Sequence, residues 1–73
     1  MEEEQEYTER ELIIGNMERL RGKAERIEEE LEELAKEPFL TSLGEAMRDN
    51  RMELLKQTRI ALGKEAHKLS LLP

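Results

Sequence analysis

The fold is decided by residues 13–38, which read IIGNMERLRGKAERIEEELEELAKEP. Apolar residues recur here at alternating intervals of four and three, the a/d spacing of a heptad repeat. They are Ile13, Met17, Leu20, Ala24, Ile27, Leu31 and Leu34. The next position in this series is Pro38, which has no amide hydrogen to donate and disfavours helical backbone at Glu37. We therefore expect a long helix with one apolar seam that ends just before Pro38.

Both sides of this stretch carry signals for the start of a helix. Thr8 and Glu11 have the spacing of a capping box, in which the threonine hydroxyl and the glutamate carboxylate each accept a hydrogen bond from the other residue's amide. Ser42 and Glu45 repeat that spacing after the proline. We therefore predict that one helix begins at Thr8 and another at Ser42.

The second helix has a broader and less regular apolar stripe than the first. Its members are Leu43, Met47, Leu54, Leu55, Thr58, Ala61, Leu62, Ala66 and Leu69. The predicted organisation is an acidic segment at 1–7 and a helical hairpin at 8–73, with a helix at 8–36, a turn at 37–41 and a helix at 42–70. The fold class is therefore all-α, an antiparallel αα-hairpin.

The chain is small for a protein that folds alone. It has 73 residues with net charge -6, of which 41% are charged and 37% hydrophobic, with one Tyr, one Phe and no Trp. A core below about 70–80 residues seldom supplies more than about 3–5 kcal/mol. With no cysteine and one histidine, neither disulfides nor a zinc site can add stability. We therefore expect the hairpins to assemble into a homo-oligomer.

Glycines inside the predicted helices are unusual, because each costs roughly 1 kcal/mol relative to alanine. Gly15 and Gly22 are seven residues apart and fall at the outward f position of the heptad, and Gly63 flanks the stripe of the second helix. They are either tolerated there, or another backbone or a ligand approaches these faces closely.

A basic cluster stands out in this acidic chain. Arg19, Lys23 and Arg26 are spaced so that they share one side of the first helix. They form either a solvated face that pairs with nearby acids such as Glu30 or Glu18, or a pocket for an anion, since guanidinium groups match phosphate oxygens.

The second helix offers a weaker parallel to this cluster. Thr58 lies on the apolar stripe between two cations, Lys56 and Arg59. Its hydroxyl is either part of a second anion site or simply that of a small residue at the edge of the core.

Other function classes are excluded by what the sequence lacks. The acidic total argues against duplex nucleic acid, and no apolar run approaches the length of a membrane span. The acidic N-terminus differs from a signal peptide, so we expect a cytoplasmic protein. No nucleophile is paired with a base, so we expect no enzyme, no catalytic residue, no metal and no cofactor.

An ordered set of residues across both arms resembles a known family. The set is Thr8-Glu9-Arg10-Glu11-Leu12, Asn16 and Gly22, then Asp49, Arg51, Met52, Thr58, Ile60, Gly63 and Ala66. It is similar to the phage hairpin proteins that counter CBASS and Thoeris immunity by sequestering cyclic nucleotide signals. Met52 departs from that family, which usually has tryptophan there, and Arg19 stands where the family has a pocket lysine.

The resemblance implies a function without catalysis. Dimers of hairpins would build a hexamer that holds cyclic di- or trinucleotides, or cyclic ADP-ribose-like molecules, between protomers and leaves them intact. The setting would be the host-cell cytoplasm if the protein is phage-encoded. The candidate ligand-binding residues are Tyr7, Asn16, Arg19, Lys23, Thr58 and Arg59.

A second function class is compatible with the same hairpin. A small chaperone or regulator could bury a helix of a partner protein against an apolar strip. An exposed apolar strip and stabilisation by a peptide would favour this alternative, whereas stabilisation by phosphorylated ligands would favour nucleotide binding.

Overall fold

The computed structural model describes residues 7–37 and 41–73, which form two helices and contain no strand. Helix α1 spans Glu9–Ala35 and helix α2 spans Ser42–Leu71. The all-α fold with two helices is therefore confirmed for this part of the chain. Most of the predicted acidic segment, and the centre of the predicted turn at 38–40, lie outside the described residues.

Helix α1 begins at the predicted capping box. The amide of Glu11 donates to Thr8 Oγ1 at 3.1 Å, and the amide of Thr8 donates to Glu11 Oε1 at 3.4 Å. These two bonds satisfy amides that have no partner inside the helix. The helix ends at Ala35, where the amide of Lys36 donates to the carbonyl of Glu33.

Helix α2 begins at Ser42 as predicted, but the capping box predicted for Ser42 and Glu45 is wrong. Thr41 is the N-cap residue, because its Oγ1 accepts from the amide of Gly44 at 3.1 Å, and Ser42 is the first residue of the helix. The reciprocal bond of a capping box cannot form here, since the third helical position is Gly44, which has no side chain. The helix ends at Leu71, one residue later than predicted.

Polar contacts between the helices show that they run antiparallel. Arg10 at the start of α1 donates to the carbonyl of Pro73 at 3.4 Å. Further along, Arg59 of α2 pairs with Glu28 of α1 at 3.1 Å. Arg51 then pairs with Glu30. Residues early in one helix therefore meet residues late in the other.

The core is a single narrow seam between the two helices. Within the described ranges no side chain is fully buried, and the most buried residues are Ile13, Ala24, Ile27, Leu55 and Thr58. All seven residues of the predicted α1 seam are buried or half-buried, so that prediction is confirmed. The Cα atoms span only 15 Å in the thinnest direction, so the outer faces of this one layer have no second layer against them.

The predicted apolar stripe of α2 is wrong at three positions, because the residues there are exposed. Leu43 is 71% exposed, and Met47 and Ala66 are also exposed. Arg51 of α2 pairs with Glu30 of α1, so the antiparallel register places Leu43, eight residues before Arg51, beyond Ala35, the last residue of α1. Ala66 lies on the flank of the stripe, whereas Glu65 beside it is half-buried.

Candidate functional site

A shallow groove near the N-terminal end of α1 brings together three predicted ligand-binding residues, Tyr7, Asn16 and Arg19. Its volume is about 270 Å³. The residues that line it are Tyr7, Glu11, Leu12, Gly15, Asn16 and Arg19. All but Tyr7 lie on α1 at helical intervals of three and four, which place them on one face. We call this surface the α1 groove.

Arg19 is held in the α1 groove by a hydrogen bond from its Nη2 to Asn16 Oδ1, at 2.8 Å. Within the described ranges Arg19 forms no salt bridge with a carboxylate. A guanidinium group carries five N–H donors, so most of them remain available after this bond. Among the described residues Arg19 therefore has a charge without a carboxylate partner and several donors, which are features that bind phosphate.

Tyr7 gives the α1 groove an aromatic surface. Its side chain is 57% exposed and lies just before the Thr8 cap. Gly15 lies on the same face, and a Cβ atom added there would meet nothing within 4 Å. An aromatic ring, an amide and a guanidinium group therefore line one surface, and a side chain at position 15 would narrow that surface.

Lys23 and Arg26 continue the basic strip beyond the α1 groove without lining it. Among residues 7–37 and 41–73, neither of them forms a salt bridge. Glu30, the acid considered as a partner of this strip, pairs instead with Arg51 of α2. Among the described residues, acidic side chains of α1 therefore form no salt bridge with the basic strip.

The predicted α2 site at Thr58 and Arg59 is placed differently from the expectation. Thr58 is only 4% exposed, and its hydroxyl donates to the carbonyl of Leu54 at 2.7 Å. Thr58 therefore matches the alternative prediction, that of a small residue at the edge of the core. Arg59 is exposed but pairs with Glu28, nine residues along α1 from Arg19, or roughly 13 Å away. Thr58 is therefore buried while Arg59 is exposed, so these two residues do not form one surface. Neither of them lines the α1 groove.

A second groove, which the sequence analysis missed, runs along α2. Its volume is about 460 Å³, and its lining residues are Leu31, Met52, Leu55, Lys56, Arg59 and Ile60. Met52 and Ile60 are about half exposed. Met52 and Ile60 are eight residues apart, or about two helical turns, and lie on the side of α2 away from Leu54 and Ala61. This spacing is the signal in the sequence that could have predicted the groove. We call this surface the α2 groove.

Comparison of the chain with protein-family models, with curated proteins and with solved structures finds no match in any of the three. A two-helix hairpin does not identify a family by itself. The resemblance to the phage proteins therefore continues to rest on the residues quoted above.

The described residues also bear on metal ions and membranes. Neither α1 nor α2 contains a stretch long and apolar enough to cross a bilayer. In residues 7–37 and 41–73, no three His, Cys, Asp or Glu side chains stand close enough together to hold a metal ion.

Proposed function

We propose that this protein is a non-enzymatic sponge, which sequesters cyclic nucleotide immune signals and thereby blocks bacterial anti-phage defence. The observation that carries the proposal is the convergence of Tyr7, Asn16 and Arg19 in the α1 groove. A base can stack on an aromatic ring, and a phosphate can accept hydrogen bonds from a guanidinium group. The residues that resemble the phage sponge family support the same function.

The energy that one groove can supply argues for more than one copy in each site. A charge-assisted hydrogen bond contributes about 1.5–3 kcal/mol, and stacking of one base about 1–3 kcal/mol. Together these reach roughly 6 kcal/mol at most, whereas micromolar binding requires about 8 kcal/mol. A sponge built on this groove therefore needs further contacts, and a second hairpin is the nearest source of them.

Exposed surface supports assembly into an oligomer of dimers, up to a hexamer. The accessible surface of the chain is 6332 Å², whereas a compact monomer of this mass would expose roughly 4,700 Å². Large apolar side chains contribute to the surface on both helices, among them Leu12, Ile14, Met52, Ile60 and Leu71. Burial of these side chains between copies would stabilise the assembly.

Calorimetry with cyclic di- and trinucleotides and cyclic ADP-ribose isomers tests the proposed function. Arg19→Ala should weaken binding about tenfold to a hundredfold, because it removes a contact of about 1.5–3 kcal/mol. Arg21→Ala is the matched control, since it removes the same charge from a position two residues on, on a different side of α1.

The nucleotide experiment can either support or refute the proposed function. The ligand should be recovered chemically unchanged after the complex is denatured by heat. Absence of binding to every nucleotide at millimolar concentration would refute the sponge function. Equal losses of affinity in Arg19→Ala and Arg21→Ala would show that binding depends on overall charge and that the α1 groove is not the binding site.

The α2 groove favours a second candidate function, which is binding of an amphipathic helix of a partner protein. Its floor is formed by Leu31, Met52, Leu55 and Ile60. Lys56 and Arg59 lie at the same groove and would suit a partner helix with acidic residues beside its apolar face. An acidic amphipathic peptide that raises the melting temperature, together with failure of all nucleotides to do so, would favour this function over the sponge.

A further inference from the structure

Arg26 repeats the position of Arg19 one heptad further along α1. The sequence Glu-Arg-Leu at 18–20 recurs as Glu-Arg-Ile at 25–27. The last residue of each triplet is half-buried or buried in the seam, so the two arginines leave the helix on the same side. Both arginines are exposed. Their Cα atoms lie roughly 10.5 Å apart along the helix axis.

The two guanidinium groups are held apart by the contact that Arg19 makes. Its Nη2 donates to Asn16 Oδ1 at 2.8 Å, which directs this group toward the N-terminal end of α1 and away from Arg26. Among residues 7–37 and 41–73, Arg26 forms no salt bridge. The two arginines therefore define two separate positions for an anion on one side of the helix.

Lys23 lies between these two positions. It follows Arg19 by four residues and precedes Arg26 by three, spacings at which Cβ atoms are about 5–6 Å apart. Its ammonium group can therefore approach an anion at either position. The same side of α1 becomes acidic at both ends, with Glu11 before Arg19 and Glu29 after Arg26. The strip therefore suits two phosphate groups and not a longer polyanion.

We propose that Arg26 is a specificity-determining residue, which together with Arg19 selects ligands whose two phosphate groups are separated by a sugar. This inference rests on the proposed function of nucleotide sequestration. In a cyclic dinucleotide a ribose stands between the phosphorus atoms, so one phosphate can lie at Arg19 and the other at Arg26. In cyclic ADP-ribose the phosphorus atoms share one bridging oxygen, so a pyrophosphate at Arg19 leaves Arg26 without a phosphate. Of the ligand classes in the proposed function, the geometry therefore favours cyclic oligonucleotides.

Calorimetry of the full chain with ligands that differ in phosphate separation tests this selection. Cyclic di-AMP and diadenosine diphosphate both carry two adenosines and two negative charges, but only the second has its phosphates joined as a pyrophosphate. Wild-type protein should bind cyclic di-AMP at least about tenfold more tightly than diadenosine diphosphate or cyclic ADP-ribose, which corresponds to 1.4 kcal/mol. Cyclic di-GMP and diguanosine diphosphate extend the same comparison to the other purine.

Arg26→Ala should remove this preference. It should weaken binding of the cyclic dinucleotides about tenfold, because a charge-assisted contact to one phosphate is lost, and leave binding of the pyrophosphate ligands unchanged. Arg21→Ala is the matched control, since it removes the same charge from a different side of α1 and should keep the wild-type preference.

The possible results separate this inference from the proposed function. If cyclic ADP-ribose binds as tightly as the cyclic dinucleotides, or more tightly, the inference is overturned while the sponge function stands. If Arg26→Ala weakens both ligand classes equally, or neither of them, Arg26 does not distinguish them and the inference is again overturned. If no cyclic nucleotide binds, both are overturned. The wild-type comparison requires no variant, so a folding defect cannot hide the answer.

Discussion

Replacement of Ile27 by alanine should destabilise the hairpin by roughly 2–3 kcal/mol. Ile27 is 5% exposed and packs in a cluster with Ala24 and Leu55. The change removes three carbons at about 0.8 kcal/mol each, and the cavity left between the helices adds to the loss. Alanine returns less than about 0.7 kcal/mol through its higher helix propensity.

This loss is large for so small a protein. A core of this size seldom supplies more than about 3–5 kcal/mol, so the loss is roughly half of that free energy or more. For a domain of 60–100 residues, 1 kcal/mol lowers the melting temperature by about 4–8 °C, so we expect Ile27→Ala to lower it by roughly 10–20 °C. Thermal unfolding followed by far-ultraviolet circular dichroism, repeated at several protein concentrations, measures the change.

Ile60→Ala is the matched control, because it removes the same atoms from a side chain that is 50% exposed in a single hairpin. In an isolated hairpin it should cost less than about 1 kcal/mol. If copies pack over the α2 groove, it should instead cost about as much as Ile27→Ala while the copies are associated, and the melting temperatures of wild type and variant should both fall on dilution. A loss of less than about 1 kcal/mol for Ile27→Ala would refute the packing of the two helices described above.

Two further pairs of variants test particular contacts. Thr41→Ala should destabilise α2 by about 1 kcal/mol in chemical denaturation, whereas Ser42→Ala should change stability by less than about 0.5 kcal/mol; equal losses would contradict the assignment of Thr41 as the cap. Gly15→Ala and Gly22→Ala should each raise helix stability by up to about 1 kcal/mol, since the added Cβ meets open space. Calorimetry should show that only Gly15→Ala weakens nucleotide binding, and an equal effect of Gly22→Ala would show that the α1 groove is not the site.

The structure of α1 could be predicted from the sequence because its determinants are local. The cap at Thr8 depends on residues three apart, and the seam from Ile13 to Leu34 depends on a strict periodicity. Helix α2 has no such strict repeat. The cap at Thr41 was not predicted because Thr41 and Ser42 are both good caps, and only Ser42 has a glutamate, Glu45, at the capping-box spacing.

The candidate site could be predicted only where it lies on one helix. Asn16 and Arg19 share a face through their spacing alone, so their proximity followed from the sequence. The burial of Thr58 depends on how α2 is aligned against α1. Periodicity gives the angle of a side chain around its own helix, but not what the other helix places opposite it.

Hairpin formation itself determines which cations remain available for an anion in this acidic chain. Glu30 lies four residues after Arg26, the spacing at which it could pair with the basic strip of α1. In the hairpin it pairs with Arg51 of α2 instead. Both side chains of that pair are partly exposed, so the pair adds little to stability. The pair occupies one acid that has pairing spacing with Arg26, and among residues 7–37 and 41–73 neither Lys23 nor Arg26 has a carboxylate partner. A local positive strip can therefore attract phosphate in a protein of net charge -6.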